Sequence, residues 1–326
     1  MRQPIIPPTP SGTCLTGKTV LITGGNSGIG FETARQLLIL NSSRVIITAR
    51  DTAKGNEAVA ALRDDPEVKK SNPSALIETF SLDLDDYRSG LRFTQEVREK
   101  LPELDVLICS GGVNIMEYQV SKSGHERVMQ VNCYTHFVIV LELLSLLRAT
   151  GLKRRSPSRV TFIGSHYQSH HSLTRSPIGA SDSVLEHWDN RNKYSGMQRY
   201  ADSKFVINIF VRQLATMVPS SEVVINNFCP GFVATSFDKN LPIWIRPVLS
   251  LWRKLLARNV QDGGRTAVYA TAVAGEETHG KYLESNKVEP GPSYLREKRG
   301  EELAGKLWNE ILEEVNREDP NFNRSL

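Results

Sequence analysis

An α/β fold built on one doubly wound parallel sheet follows from three features of this 326-residue chain. Short β-branched runs alternate with longer segments of helical period. The first run ends in a glycine-rich turn that opens directly into an amphipathic helix. The later runs end at Arg50, Asp83, Gly111, Ser165 and Pro230, along the sheet edge where open α/β sheets bind ligands.

Residues 1–16 carry four prolines in their first ten positions and no apolar run of signal-peptide length, which reads as a flexible leader. Residues 17–289 hold the alternation. Strand 18–23 passes through Gly24-Gly25-Asn26-Ser27-Gly28-Ile29-Gly30 into helix 29–40. In that context Gly24 permits the tight turn, Gly28 admits a pyrophosphate to the helix N-terminus and Gly30 brings the helix close to the sheet. Further strands are expected at 44–49, 75–82, 104–110, 159–164, 222–229 and 280–283, and helices at 51–63, 124–150, 200–217 and 262–274. Residues 236–258 mix Trp244, Trp252 and many aliphatics with Arg and Lys, and Pro247 divides them into two short helices. Residues 290–326 read as a polar helical tail, helical over 301–317.

Composition narrows the class. The chain is 40% hydrophobic and 23% charged with a net charge of +4, ordinary for a globular protein and without the concentrated basic stripe of a nucleic-acid binder. No run of about 18 apolar residues suggests a spanning helix. Cys14, Cys109, Cys133 and Cys229 lack C-x-x-C spacing, so neither a disulfide framework nor a zinc site is suggested, and a reducing, cytoplasmic setting fits.

The sharpest chemical signal is Tyr200-Ala-Asp-Ser-Lys204. On a helix, residues four apart share a face, and an ammonium beside a phenol favours the phenolate, lowering its pKa from about 10. Such a tyrosine exchanges a proton with a carbonyl or alcohol oxygen. With the glycine turn upstream, the chain from about Gly17 to Leu283 resembles the short-chain dehydrogenase/reductase family, leaning toward its retinol-dehydrogenase-like and fungal secondary-metabolism branch. That resemblance implies a single Rossmann-type domain with an extended substrate lid over 236–258. Thr23-Gly24, Asn26, Ser27, Gly28, Ile29 and Gly30 fit the family's T-G-x-x-x-G-x-G cofactor turn. Asp83-Leu84 falls where the family places an acidic residue near the adenine ring, and Gly111 where backbone approaches the cofactor. Asn132 matches the helix-borne catalytic Asn, Ser165 the catalytic Ser, and Tyr200 with Lys204 the catalytic pair. Pro230-Gly231, Val233 and Thr235 match the P-G-x-V-x-T loop over the nicotinamide.

Two departures stand out. Cys109-Ser110-Gly111-Gly112 replaces the family's N-N-A-G, removing asparagine side chains that tie this turn to neighbouring strands. From Ser165 to Tyr200 is 35 positions, far longer than usual, and the insert 166–199 carries His166, His170, His171, His187 and Trp188. It lacks the H-E-x-x-H pattern of a metal site, and Ser165-His166 lacks a G-x-S-x-G elbow.

At the end of the second strand, Arg50 suits a bidentate pair with a 2′-phosphate, while Asp51 suits the cap of the following helix, which favours NADP(H) over NAD(H). A rival reading makes Asp51 the ribose ligand. The expected activity is interconversion of a carbonyl and an alcohol on a bulky lipophilic substrate, in secondary metabolism. A non-redox isomerisation or cyclisation and a non-catalytic cofactor-binding sensor are the alternatives. The apolar 236–258 segment also suits peripheral contact with a membrane, and the sequence leaves monomer and homo-oligomer open.

Overall fold

The computed structural model describes residues 3–233, 257–320 and 322. Strands β1 (Thr19–Thr23), β2 (Arg44–Ala49), β3 (Leu76–Ser81), β4 (Val106–Cys109), β5 (Ser158–Ile163), β6 (Val223–Cys229), β7 (Lys281–Glu284) and β8 (Lys287–Glu289) form one sheet ordered β3-β2-β1-β4-β5-β6-β7-β8. All pairings are parallel except the β7–β8 hairpin. The period-2 alternation of side chains divides the core. Val20, Ile22, Val45, Ile47, Val106 and Ile108 pack into the layer on one face, and Leu21, Ile46 and Leu107 into the layer on the other. Both faces are covered, which is why these strands read as near-continuous apolar runs.

The helices are α1 (Gly28–Ile39), α2 (Thr52–Asp64), α3 (Pro66–Ser71), α4 (Tyr87–Lys100), α5 (Arg127–Arg154), α6 (Val184–Asp189), α7 (Gly196–Ala215), α8 (Val260–Val268) and α9 (Lys298–Glu318). The expected α/β alternation is present, with boundaries moved by a few residues. Helix α5 starts at Arg127 rather than 124, and α7 starts at Gly196, one turn before Tyr200. By composition α5 is long and apolar enough to cross a membrane, yet 72% of its most apolar window is buried inside the protein. It is a core helix here.

Chain order reverses between β1 and β4: the sequence runs outward through β2 to β3, then crosses back to place β4 on the other side of β1. Loops leaving β1 and β4 therefore diverge and open a crevice at the carboxyl ends of the strands. The leader, the insert and the tail each contribute side chains to the buried core. In the stretch expected as a flexible leader, Ile6 is 1% exposed and Leu15 is buried. The insert after Ser165 buries Leu173, Val184 and Trp188. In the expected polar tail, α9 sinks Leu303, Leu307, Trp308, Ile311 and Val315 into the main core, and Trp308 stacks on Phe210 at 5.9 Å. Thr235, Trp244, Pro247, Trp252 and nearly all of the expected lid lie outside the described residues.

Candidate active site

The glycine turn is held at the limit of close packing. Gly24 has φ +63°, and a Cβ there would sit 2.7 Å from the Gly111 Cα. A Cβ on Gly30 would sit 2.7 Å from the Gly24 carbonyl oxygen, and one on Gly111 would strike Leu84. Side chains at these positions would fill the floor between β1 and β4. Ser27 is the N-cap of α1 but its hydroxyl makes no capping bond, and the first turn holds no acidic residue. The helix thus offers its N–H groups and positive dipole end to an anion. These features fit the pyrophosphate of a dinucleotide.

Across the crevice, α7 presents Tyr200 and Lys204, the pair expected to be catalytic. Lys204 Nζ stands 5.6 Å from the centre of the Tyr200 ring and donates to the Ile163 carbonyl at 2.8 Å, at the end of the strand that delivers Ser165. Lys204 is buried, and loss of hydration pulls its pKa down from 10.5 to about 8, although the Cys133 and Cys229 thiols act in the other direction. Ser165 caps the 3₁₀ turn His166–His170, its Oγ accepting from the Tyr167 N–H at 3.2 Å. That turn brings the Tyr167 ring to 6.3 Å from the Tyr200 ring. Asn132 lies in a π turn, Gln130–Tyr134, that interrupts α5, a feature often found at functional sites. Its side chain accepts from the Val113 N–H at 2.8 Å and donates to the Val113 carbonyl and to Ser203 Oγ, both at 3.0 Å. Asn132 thereby fastens the β4 loop to the helix that carries Lys204.

At the far end of the crevice, Arg50 is exposed and its charge reaches Asp83. Asp51 caps α2, its Oδ1 accepting from the Ala53 N–H at 2.9 Å and the Lys54 N–H at 3.3 Å. Asp83 is bound by Lys122 at 2.6 Å. Burial opposes its charge, but Lys122, the Asp85 N–H and Arg50 together hold its carboxyl below the usual range. Leu84 is buried beneath Gly111.

Two supports were not foreseen from the sequence. Thr23 Oγ1 accepts from the Ser110 N–H at 2.9 Å and the Gly111 N–H at 3.2 Å, and its own proton has the nearer acceptor in His136 Nε2 at 2.8 Å, the Ile108 carbonyl lying at 3.4 Å. His136 Nδ1 then donates to the Asn132 carbonyl at 3.3 Å. Burial lowers the His136 pKa to about 4 and keeps the ring neutral in this relay. Thr23 thus ties down the Ser110-Gly111 turn that lacks the family's asparagines. The second support is Cys229. Its Sγ accepts from the His166 N–H and the Gly231 N–H, each at 3.3 Å, joining the Ser165 turn to the Pro230 loop. Among the insert's histidines, His166 meets Glu284 at 3.1 Å, His171 stacks on Phe205 at 4.0 Å, and His187 meets Lys193 at 3.3 Å.

Comparison with known proteins agrees with this geometry. The family model for short chain dehydrogenases matches residues 18–188. The chain is 52% identical over 289 residues to short chain dehydrogenase sor7 of Hypocrea jecorina, covering 88% of this chain and 80% of that one. It is 36% identical over 315 residues to short-chain dehydrogenase/reductase tropG of Talaromyces stipitatus, covering 97% and 96%. Among solved structures, the Pseudomonas aeruginosa RhlG/NADP active-site complex shares the fold with a TM-score of 0.64 at 22% identity, covering 85% of this chain and 97% of that one. The matched model, the fungal relatives and the assembled site lead to one conclusion: the chain belongs to the short-chain dehydrogenase/reductase family of oxidoreductases.

Proposed function

We propose that the chain is an NADP(H)-dependent enzyme of secondary metabolism that interconverts a carbonyl and an alcohol on a bulky lipophilic substrate. The observation that carries this reading is the Tyr200–Lys204 pair, with its ammonium buried, bonded to Ile163 O and 5.6 Å from the phenol ring. When bound, the nicotinamide supplies a hydride to the carbonyl carbon or removes one from the alcohol. Tyr200 gives the proton to the substrate oxygen in reduction and takes it back in oxidation. The Lys204 charge lowers the cost of the phenolate left behind, and it is worth more in this desolvated position than in water. The Ser165 hydroxyl donates to the substrate oxygen and stabilises charge developing there. By its resemblance to the family's asparagine, Asn132 would anchor a water linking Lys204 to solvent, while its side chain holds Val113 and Ser203.

Two observations support NADP(H). Arg50 is exposed at the end of β2, and Asp51 already serves as a helix cap. Gly24, Asn26, Ser27, Gly28, Ile29 and Gly30 would hold the pyrophosphate side, Asp83, Leu84 and Gly111 the adenine side and the sheet edge, and Pro230, Gly231, Val233 and Thr235 the nicotinamide side. For a lipophilic substrate the support is an exposed apolar set at the crevice: Tyr167, Met197 and Phe232 are 43%, 38% and 39% exposed. Cytoplasmic residence, with contact between the 236–258 segment and a membrane surface, belongs to the same reading.

The cofactor assignment is tested by kinetics with both nicotinamides. Arg50→Ala is expected to raise the KM for NADPH roughly tenfold or more and leave that for NADH nearly unchanged, since one charge-assisted pair is worth about 1.5–3 kcal/mol. Equal weakening of both, or a tenfold NADH preference in the wild type, would overturn it.

A further inference from the structure

The segment that precedes β1 reaches across the sheet to the loop leaving β6. Gln3 Nε2 donates to the Phe232 carbonyl at 2.9 Å, and Gln3 Oε1 accepts from the Phe232 N–H at 2.8 Å. One carboxamide therefore satisfies both main-chain groups of a loop residue, as a neighbouring strand would. Arg258 completes the join. Its guanidinium is 7% exposed as part of the whole residue and donates to the Pro230 carbonyl at 3.1 Å, the Pro4 carbonyl at 3.0 Å and Ser285 Oγ at 2.8 Å. The Arg258 N–H donates to the Phe232 carbonyl at 2.7 Å, and Val233 pairs with Arg258 in a parallel bridge. Ile6, 1% exposed, anchors the segment beside this join. The contact is close: Gly231 has φ +82°, and a Cβ there would lie 2.3 Å from Gln3 Oε1 and 2.6 Å from Arg258 Nη1.

We propose that residues 3–6, clamped by Arg258, are a strap that positions the Pro230–Val233 loop for cofactor binding. The proposal rests on the reading above that this loop meets the nicotinamide. Phe232 is a 39% exposed loop residue, so without the strap its N–H turns to water, its carbonyl keeps only the Arg258 N–H, and the loop samples other backbone conformations. Ordering it then becomes a cost of binding the cofactor, and a strap that orders it beforehand removes that cost. Gln3 and Arg258 are positioning residues in this account, because they act through the loop.

The test compares wild type, Gln3→Ala, a variant lacking residues 2–6, and Arg258→Lys. Hydrogen exchange at Gly231–Val233 and the Kd for NADPH by fluorescence titration are the readouts, with Tm as a check on folding. Gln3→Ala is expected to speed exchange at Phe232 and weaken NADPH binding by roughly three- to tenfold, the loss of two neutral hydrogen bonds. Tm should be nearly unchanged, because Gln3 lies at the surface. The deletion should match or exceed this effect, and Arg258→Lys, which keeps the charge but not the three-way geometry, should reproduce it. Unchanged exchange at Phe232, or faster exchange with an unchanged Kd in both Gln3→Ala and the deletion, would overturn the proposal. Failure of the wild type to bind NADPH would instead overturn the cofactor reading, and the strap's role with it.

Discussion

Lys204 shows what the role proposed for a single side chain costs in stability. Its amine titrates at about 8 in the folded chain against 10.5 when unfolded, mainly because burial disfavours the charge. Between those values the unfolded chain binds more protons, so this group makes stability rise with pH, and its full cost is felt below about 8. That cost is roughly 3–4 kcal/mol at pH 7. Lys204→Met is therefore expected to raise Tm at pH 7, with the gain fading toward pH 10, while turnover is lost. A lower Tm at pH 7 would show that the bond to Ile163 outweighs the buried charge. Tyr200 with Lys204, and Gly24, Gly28 and Gly30, were legible because each constraint acts within a few residues of chain. Thr23, His136, Cys229, Gln3 and Arg258 were not. Thr23 meets its His136 partner 113 positions away, and Gln3 meets Phe232 across 229, so only the folded topology reveals them.

Among the elements, the insert after Ser165 and α9 depend on each other. Glu310 of α9 accepts from Ser183 Oγ at 2.8 Å and from the first N–H groups of α6, at Val184 (2.8 Å) and Leu185 (2.9 Å). His125 joins the last residue of α6, Asp189, at 2.8 Å to Glu314 of α9 at 3.1 Å. Burial alone would lower the His125 pKa, but the two carboxylates outweigh it and raise it to about 9 from 6.5. Because the folded value is the higher one, this stabilisation is complete below about 6.5 and lost as pH rises through about 9. His125→Gln is expected to cost about 2 kcal/mol at pH 6 and little at pH 10, by urea unfolding at both pH values. Equal destabilisation at both would mean that the clamp is held by packing. The α9 stripe Leu303, Leu307, Ile311 and Val315 recurs at helical spacing and was readable. Its polar other face made the segment look like a solvated tail, and only the apolar faces of α5 and α7 show what the stripe covers.

For the whole molecule, the alternation of strands and helices placed Gly24, Arg50, Asp83, Gly111, Ser165 and Pro230 at one edge of the sheet, and the strand order gathers them around the β1–β4 divergence. This was legible because parallel sheets leave little freedom in where strand ends go. The path of the long insert was not, because a 35-position connection with weak periodicity has many routes back to Tyr200. The proposed function turns on proton transfer by Tyr200 beside a bound dinucleotide. The most direct measurement is NADPH consumption with a panel of bulky lipophilic ketones, run on wild type and Tyr200→Phe alongside NADPH titration of both. The account predicts turnover by the wild type, an unchanged Kd in the variant, and a fall in kcat of roughly a hundredfold or more. Undiminished turnover in Tyr200→Phe, or a wild type that binds NADPH and reduces no ketone in the panel, would contradict it.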